Sequence, residues 1–440
     1  WNLENMYYNT FVYNTIYEGG TVVLEWAPSS MDIITLMVNL SAVVAVVTAL
    51  VIGNYSDKIK KRKVFISVGY ILWGITCIIF GLINKENIQA FSGLSNPDSI
   101  VAVTAVCVVI MDCLMTFMGS TSHDAAFNAW ITDVTTHKNR ATVESVLSIL
   151  PYGAMIIVLL GGGAIAALGG ANLTAGYQTF FSILGVFIVL CGIVGLFTLQ
   201  DSVSDTKSTT TMSLSDILYG FRPSVIKGNS RFYITLCAVC LYCIALQCFF
   251  PFLFIYLDHG LGFKIDDLLG YITPKVLIAI PIVILFVVGC FVLIGRLVDK
   301  MGKKLLMFLS NFLFAGGLIA AYFAKTPLTF GLCAIPALIG YSLTGIVHQS
   351  SLRDFTPKDK AGLFQGVRMV FNVLVPMIVG PQIGNAVCKY VGSGSYIDEG
   401  TGLTQAEPCA EMFLAAGIIS ILVLVPLVIL AKKGIDVVEE

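Results

Sequence analysis

Charge is what this 440-residue chain lacks. Only 12% of its residues are Asp, Glu, Lys or Arg, about half of the 25% usual in soluble domains. Too few polar groups remain to coat a water-soluble globule, and the 57% hydrophobic content suits hydrocarbon as the solvent. Neither sign is in excess: the formal net charge is −1 and no basic stripe is present, which argues against a nucleic-acid partner. Histidine is scarce, with four in all. No metal cluster, nucleophile triad or phosphate-binding loop is visible, so neither an enzyme nor a metal or other cofactor is expected. Gly161-Gly162-Gly163 lies inside a hydrophobic run without a following Lys-Ser/Thr and reads as close helix packing. No soluble sensor domain supports a receptor. No cleavable leader is visible, and Trp1 is not an initiator Met, so a short N-terminal segment is expected ahead of this numbering.

What is abundant is apolar runs of spanning length, roughly 20 residues each. They fall at about 1–25, 32–53, 64–84, 99–124, 142–168, 176–200, 231–257, 271–294, 305–324, 328–350, 364–390 and 410–431. That is twelve, the first being the most polar. The positive charges test the count, because Lys and Arg gather in cytoplasmic loops. With the N-terminus inside, the inner segments hold Lys58, Lys60, Lys61, Arg62 and Lys63; Lys138 and Arg140; Lys207, Arg222, Lys227 and Arg231; Arg296, Lys300, Lys303 and Lys304; Arg353, Lys358, Lys360 and Arg368; and Lys432 and Lys433. These make 21 of the 26. Outside fall Lys85, Lys264, Lys275, Lys325 and Lys389. A wrong count would scramble this alternation. Both termini are therefore expected in the cytoplasm.

The longest polar connection, 201–230, follows span six and reads as a cytoplasmic linker between an N-terminal bundle, 1–200, and a C-terminal bundle, 231–440. The halves echo one another. Gly53-Asn54-Tyr55-Ser56-Asp57-Lys58 and Gly295-Arg296-Leu297-Val298-Asp299-Lys300 both read G-x-x-x-D-K before a basic cluster. After spans four and ten, Asp133-Val134-Thr135 is followed by Glu144, and Asp354-Phe355-Thr356 by Gln365, at the same offset. Two motifs recurring in one order indicate duplication, as in parallel-repeat transporters.

At these motifs the chain resembles the major facilitator superfamily, whose loop signature between spans two and three of each half is roughly G-x-L-a-D-r-x-G-r-k-x. Lys60 stands where the family has a small residue, usually Gly, whereas the second copy carries Gly302. The likeness covers essentially the whole chain. It implies an all-α membrane protein with twelve transmembrane helices in two pseudo-symmetric six-helix bundles. Within the superfamily, Trp1 to Asn9 and Asp124-Ala125-Ala126-Phe127-Asn128-Ala129-Trp130 are similar to the cation-coupled glycoside–pentoside–hexuronide symporters, the melibiose permease group. That group places acidic cation ligands inside span two, where this chain has only Asp32, at the outer end. The resemblance implies a gating role for Asp57 and Asp299, each lodged against a neighbouring helix N-terminus and basic partners such as Arg62. Asp133 with Arg140, and Asp354 with Lys360 or Arg368, would form the matching inner contacts. The plainer reading is that the basic clusters only set topology.

Polar residues inside spans face a bundle interior or a wet cavity, because charge at bilayer depth is costly. Asp112, near the middle of span four, is the leading candidate for a protonation or cation site, or else a structural carboxyl bonded to a neighbouring helix. Lys275, about a turn into span eight, binds an anionic group, pairs with an acid or snorkels to the outer surface. His123 and Asp124 end span four as His348 and Gln349 end span ten, either as coupling groups or as an inner polar network. Span one carries Asn5, Asn9 and Tyr13 on one face, with Tyr8 beside them. So wet a helix is expected to line an aqueous cavity, opposite Tyr152, Tyr242, Gln247 and Asn372, unless these amides are interhelical glue. Amide and aromatic groups suit sugar hydroxyls and ring faces. Pro151, Pro281 and Pro376 allow bends. Cys237, Cys240 and Cys243 follow one face of span seven without a His or acid to complete a metal site. Cys388 and Cys409 flank the outer loop before span twelve, as a disulfide or as two thiols.

The expectation is a monomeric secondary transporter in a bacterial inner membrane. It moves a small polar solute, a sugar or glycoside, with H+ or Na+. The rival is a drug or lipid exporter of the same fold.

Overall fold

The computed structural model describes residues 7–16, 24–27, 29–59, 61–127, 130–131, 165, 172–201, 220–263, 303–356, 364, 367–392, 395–397 and 404–434. Among these, nine helices are long and apolar enough to cross a membrane: Ser30–Ala49, Arg62–Gly81, Pro97–Phe127, Thr174–Thr198, Ser230–Gly260, Lys304–Tyr322, Pro327–His348, Val367–Tyr390 and Glu411–Lys433. They coincide with spans two, three, four, six, seven and nine to twelve. Of span one, the described part holds a short helix, Asn9–Ile16. Span five, save Ile165, and span eight lie outside the described residues. A small two-stranded sheet, Ser395–Ile397 with Thr404–Ala406, interrupts the helices before the last span.

The chain divides into two compact units. The first takes Trp1–Met212, Ile265–Leu269 and Ile397–Leu403; the second takes Ser213–Lys264, Gly270–Tyr396 and Thr404–Glu440.

The first unit is built from α1 (Asn9–Ile16), α2 (Ser30–Ile59), α3 (Arg62–Gly81), α4 (Lys85–Ser92), α5 (Pro97–Gly119) and α6 (Leu173–Thr198). Local chemistry sets where these helices start. Asn84, Asn96 and Asn172 each accept a backbone N–H of the first turn, from Asn87, Asp98 and Ala175, which supplies a partner the helix itself lacks. Pro97 follows its cap at the one helical position where a missing N–H costs nothing. At α2, the Ser29 hydroxyl accepts from Met31 N and the Asp32 carboxylate accepts from Ser29 N, a reciprocal cap. Asp32 thus has a local structural duty.

Helix α5 shows why a membrane helix can carry a carboxyl. Val101, Ala105, Val108, Asp112, Met115 and Gly119 recur at helical spacing and are buried, while Val103, Val106, Ile110, Leu114 and Phe117 are exposed. The exposed stripe suits lipid, and the buried one packs against α2 and α3. Helices α3 and α6 pack along their length and cross at glycine. A Cβ on Gly74 would stand 2.5 Å from the Gly185 carbonyl oxygen, so the backbones touch with no side-chain layer between them. At one end of this pair Phe11, Phe80, Tyr177 and Phe181 form an aromatic cluster, with ring centroids 5.4–6.0 Å apart.

The second unit holds α7 (Pro223–Gly228), α8 (Ser230–Phe249), α9 (Lys303–Tyr322), α10 (Pro327–Asp354), α11 (Val375–Tyr390), α12 (Glu411–Leu422) and α13 (Leu424–Lys433). Helix α7 lies in the stretch read as a linker. Val225, Phe232, Tyr233, Leu236, Val239, Leu352, Phe364 and Val367 form one buried cluster at the start of α8. Beyond α8 the chain tightens to a 3-10 turn over Phe250–Phe252 and then widens to π turns over Tyr256–Gly260; Pro251 supplies no N–H to the ladder there. Helices α9 and α12 are joined by a reciprocal pair, in which Asn311 Nδ2 donates to the Ser420 carbonyl (3.0 Å) and Ser420 Oγ donates to Asn311 Oδ1 (3.2 Å). Both residues are fully buried. Asn311→Ala is expected to lower stability by about 1 kcal/mol, read as a lower melting temperature in detergent, with Ser420→Ala in the same background adding little.

Candidate functional site

In the first unit, the end of span four departs from α-helical geometry. Residues Ser120–Phe127 form π turns. The Ser122 hydroxyl donates to the carbonyls of Met118 (3.0 Å) and Gly119 (3.1 Å), competing for acceptors that the α ladder would use. Such turns recur at functional sites. Helix α3 comes close at Gly69, where a Cβ would stand 2.7 Å from that of Ser122. The next residue, Tyr70, thereby brings its hydroxyl to 3.3 Å from His123 Nδ1. The His123 ring stacks on Phe127 at 5.5 Å and 18°. One residue on, Asp124 Oδ2 accepts from Ser120 Oγ at 2.9 Å. Asp112 sits about three turns before Asp124 in the same span, 1% exposed. Tyr70 was not singled out from the sequence, where it is one aromatic in an apolar run.

Span one reads differently in space. Tyr8, expected beside a wet face, is buried: its ring lies 4.5 Å from Phe80 and 4.8 Å from Phe181, and its hydroxyl meets Cys77 Sγ at 2.8 Å. The hydroxyl places Tyr8 with the polar residues of span one, but the rings that α3 and α6 present enclose it. Asn9 is fully buried and Tyr13 half-buried. Asn5 lies outside the described residues, as do Tyr152, Lys275, Asp133, Arg140 and Asp299.

Of the expected gate, Asp57 falls in the last turn of α2 and Asp354 at the end of α10, with their side chains outside the described residues; Arg62 opens α3. The cap on that helix comes from elsewhere. Asp201 Oδ1 accepts from Lys63 N at 2.8 Å, placing a carboxylate at a helix N-terminus. Its neighbour Gln200 accepts from Trp130 Nε1 at 2.9 Å through its carbonyl. The first residues after span six therefore hold both the start of span three and the segment after span four. Asp201→Ala is expected to cost about 1 kcal/mol, measured as a fall in melting temperature that Asp201→Asn largely restores.

In the second unit, Tyr242 of α8 organises a polar column against α10. Its hydroxyl donates to the Tyr341 carbonyl at 3.1 Å. Its ring stacks near-parallel to His348, 6.4 Å and 13°, and packs on Phe314 of α9 at 5.1 Å. His348 is 1% exposed, with Nδ1 3.0 Å from the Thr344 carbonyl. A carbonyl only accepts, so Nδ1 carries the proton and Nε2 presents a lone pair. Among the described residues that Nε2 is buried without a hydrogen-bond partner, as are Thr344 Oγ1, Gln247 Oε1 and Asn372 Oδ1. Asn372 lies in a π turn, Val370–Leu374. Pro376 explains that turn: it cannot donate to the carbonyl four residues back, and its ring crowds it. Arg368 sits just ahead of the turn, half-buried. His123 and His348 hold matching sequence positions, yet each meets a tyrosine from a different place in its half, span three for one and span seven for the other. Among the described residues, no three His, Cys, Asp or Glu side chains gather as metal ligands.

Comparison with known proteins accords with this architecture. The family model of the Major Facilitator Superfamily matches residues 6–381 and 277–436. No curated protein matches in sequence. Among solved structures, a D-xylose–proton symporter aligns over 97% of this chain and 94% of its own, at 15% identity and a TM-score of 0.65. The xylose transporter XylE from E. coli, in a partially occluded inward-open conformation, aligns over 99% and 97%, at 13% identity and a TM-score of 0.65. The nucleoside transporter NupG aligns over 97% and 96%, at 16% identity and a TM-score of 0.58. At these identities the likeness speaks for the fold.

Proposed function

Since the chain belongs to the major facilitator superfamily, and so is a multi-pass membrane transporter, we propose that it moves a small polar solute, a sugar or glycoside, by alternating access coupled to H+ or Na+. The observation that carries the coupling is Asp112. A carboxyl 1% exposed on the protein-facing stripe of a spanning helix is costly to keep charged, and binding a cation or a proton relieves that cost. His123 and Asp124, toward the cytoplasmic end of the same span, are the next groups on a proton's route. On the solute side, Asn9 and Tyr13 in one half and Tyr242, Gln247 and Asn372 in the other offer amides and rings. Asn5, Tyr8, Tyr152 and Lys275 complete the proposed solute-binding set. Asp57, Arg62, Asp133, Arg140, Asp299, Asp354 and Arg368 serve the cytoplasmic gate. The solutes named for the solved relatives, D-xylose and nucleosides, are of the same polar class. The chain works as a monomer in the plasma membrane with both termini cytoplasmic.

The test is uptake of a panel of radiolabelled sugars into proteoliposomes under an imposed pH or sodium gradient. Accumulation of at least one sugar that collapses with the gradient supports symport. No sugar uptake under any gradient sinks the reading and favours the drug or lipid exporter.

A further inference from the structure

We propose that Cys388 and Cys409 form a disulfide that ties the outer end of span eleven to the start of span twelve. Cys388 lies in the last turn and a half of α11 and Cys409 two residues ahead of α12. Twenty-one positions apart in sequence, their sulfurs stand 3.0 Å apart. Both residues are buried, at 0% and 4% exposure. The backbone around them is shaped to allow this approach. A Cβ on Gly392 would stand 2.5 Å from Cys409 Sγ and 3.2 Å from the Cys388 carbonyl oxygen, so glycine there keeps Cys409 free to point at Cys388. The segment between the cysteines carries the paired strands Ser395–Ile397 and Thr404–Ala406, which hold the two sides of the loop together without a covalent bond. A third thiol, Cys248 of α8, is close by but directed elsewhere: its Sγ donates to the Met412 carbonyl at 3.7 Å.

The Lys/Arg alternation assigns this loop to the outer face, where disulfides form and persist. The oxidant is a disulfide-bearing thiol oxidant. One cysteine thiolate attacks its S–S bond, forming a mixed disulfide and releasing one oxidant thiol. The second cysteine then attacks the cysteine sulfur of that mixed disulfide and expels the other thiol. Two cysteine protons leave with the two oxidant thiols, and two electrons pass to the oxidant. The hydrogen bond to Cys388, with burial added, raises the Cys409 thiol far above its ordinary range. Both cysteines are buried once folded, which limits an oxidant's access to them, so closure belongs to the period when the loop is folding.

The experiment uses the full chain in its native membrane. Cells are quenched with acid, denatured in excess N-ethylmaleimide, digested without reductant and analysed by mass spectrometry. The expected result is a joined Cys388–Cys409 peptide pair, lighter by two hydrogens than the separate peptides, free of maleimide until reductant is added, and unchanged in Cys248→Ser. Maleimide on both cysteines without reductant, or either one joined to Cys248, overturns the proposal.

Discussion

Asp112→Asn is expected to leave a folded protein that no longer accumulates solute against a gradient. Asparagine keeps the shape and hydrogen-bonding capacity of the side chain, so the buried stripe of α5 in which Asp112 sits is preserved. What it loses is the ability to change charge. A carrier whose cation site cannot titrate or pair still binds solute and exchanges it across the bilayer, but the two fluxes are uncoupled. In proteoliposomes, gradient-driven uptake should fall to the level set by exchange alone, while solute counterflow survives. Uptake as steep as that of the native chain would remove Asp112 from the coupling role. Asp124→Asn and His123→Gln in the same assay show whether the groups on the π turns share it.

Gly384→Val is expected to have the largest effect on folding. A Cβ at 384 would collide with the Cys248 carbonyl oxygen of α8, with Phe252 also in reach. The obstacle is backbone, which no rotamer change relieves. Overpacking ordinarily costs about 1–3 kcal/mol, and valine at a backbone crossing belongs at the upper end. The expected readout is loss of the monodisperse peak in detergent, or a melting temperature too low to allow purification. Gly331→Val is the control: among the described residues nothing lies within 4 Å of a Cβ there, so that variant should melt within a degree or two of the native chain, in keeping with surface substitutions near 0.5 kcal/mol.

The sequence was most legible where one helix decides the matter alone. The 3.6-residue period of span four places Asp112 on the same stripe as Val108 and Met115, whatever packs against it. Asn96-Pro97 marks the start of that helix by its own chemistry. Legibility ended where two distant segments meet. Nothing near Tyr70 announces His123, 53 residues on; that contact depends on Gly69 admitting Ser122. Tyr242 and His348 come together only because α8 and α10 lie side by side. Tyr8 shows the same limit from the other direction, since a polar face on one helix does not reveal which rings the neighbouring helices present. Asp201 opens the polar 201–230 stretch in sequence, and its cap on α3 depends on span six ending beside the start of span three.

The bare acceptors of the second unit bear on how the solute will be found. Among the described residues, His348 Nε2, Thr344 Oγ1, Gln247 Oε1 and Asn372 Oδ1 are buried without a hydrogen-bond partner, and a buried polar group left unsatisfied costs about 1–3 kcal/mol. A compound that donates hydrogen bonds to these atoms relieves that penalty on binding, and mass action turns the relief into heat resistance: at a hundredfold excess over Kd the gain is about 2.7 kcal/mol. Melting curves recorded across a library of polyols and glycosides thus become a way to identify the cargo without assaying flux. His348→Leu should melt higher than the native chain and gain less from the compound that stabilises the native protein.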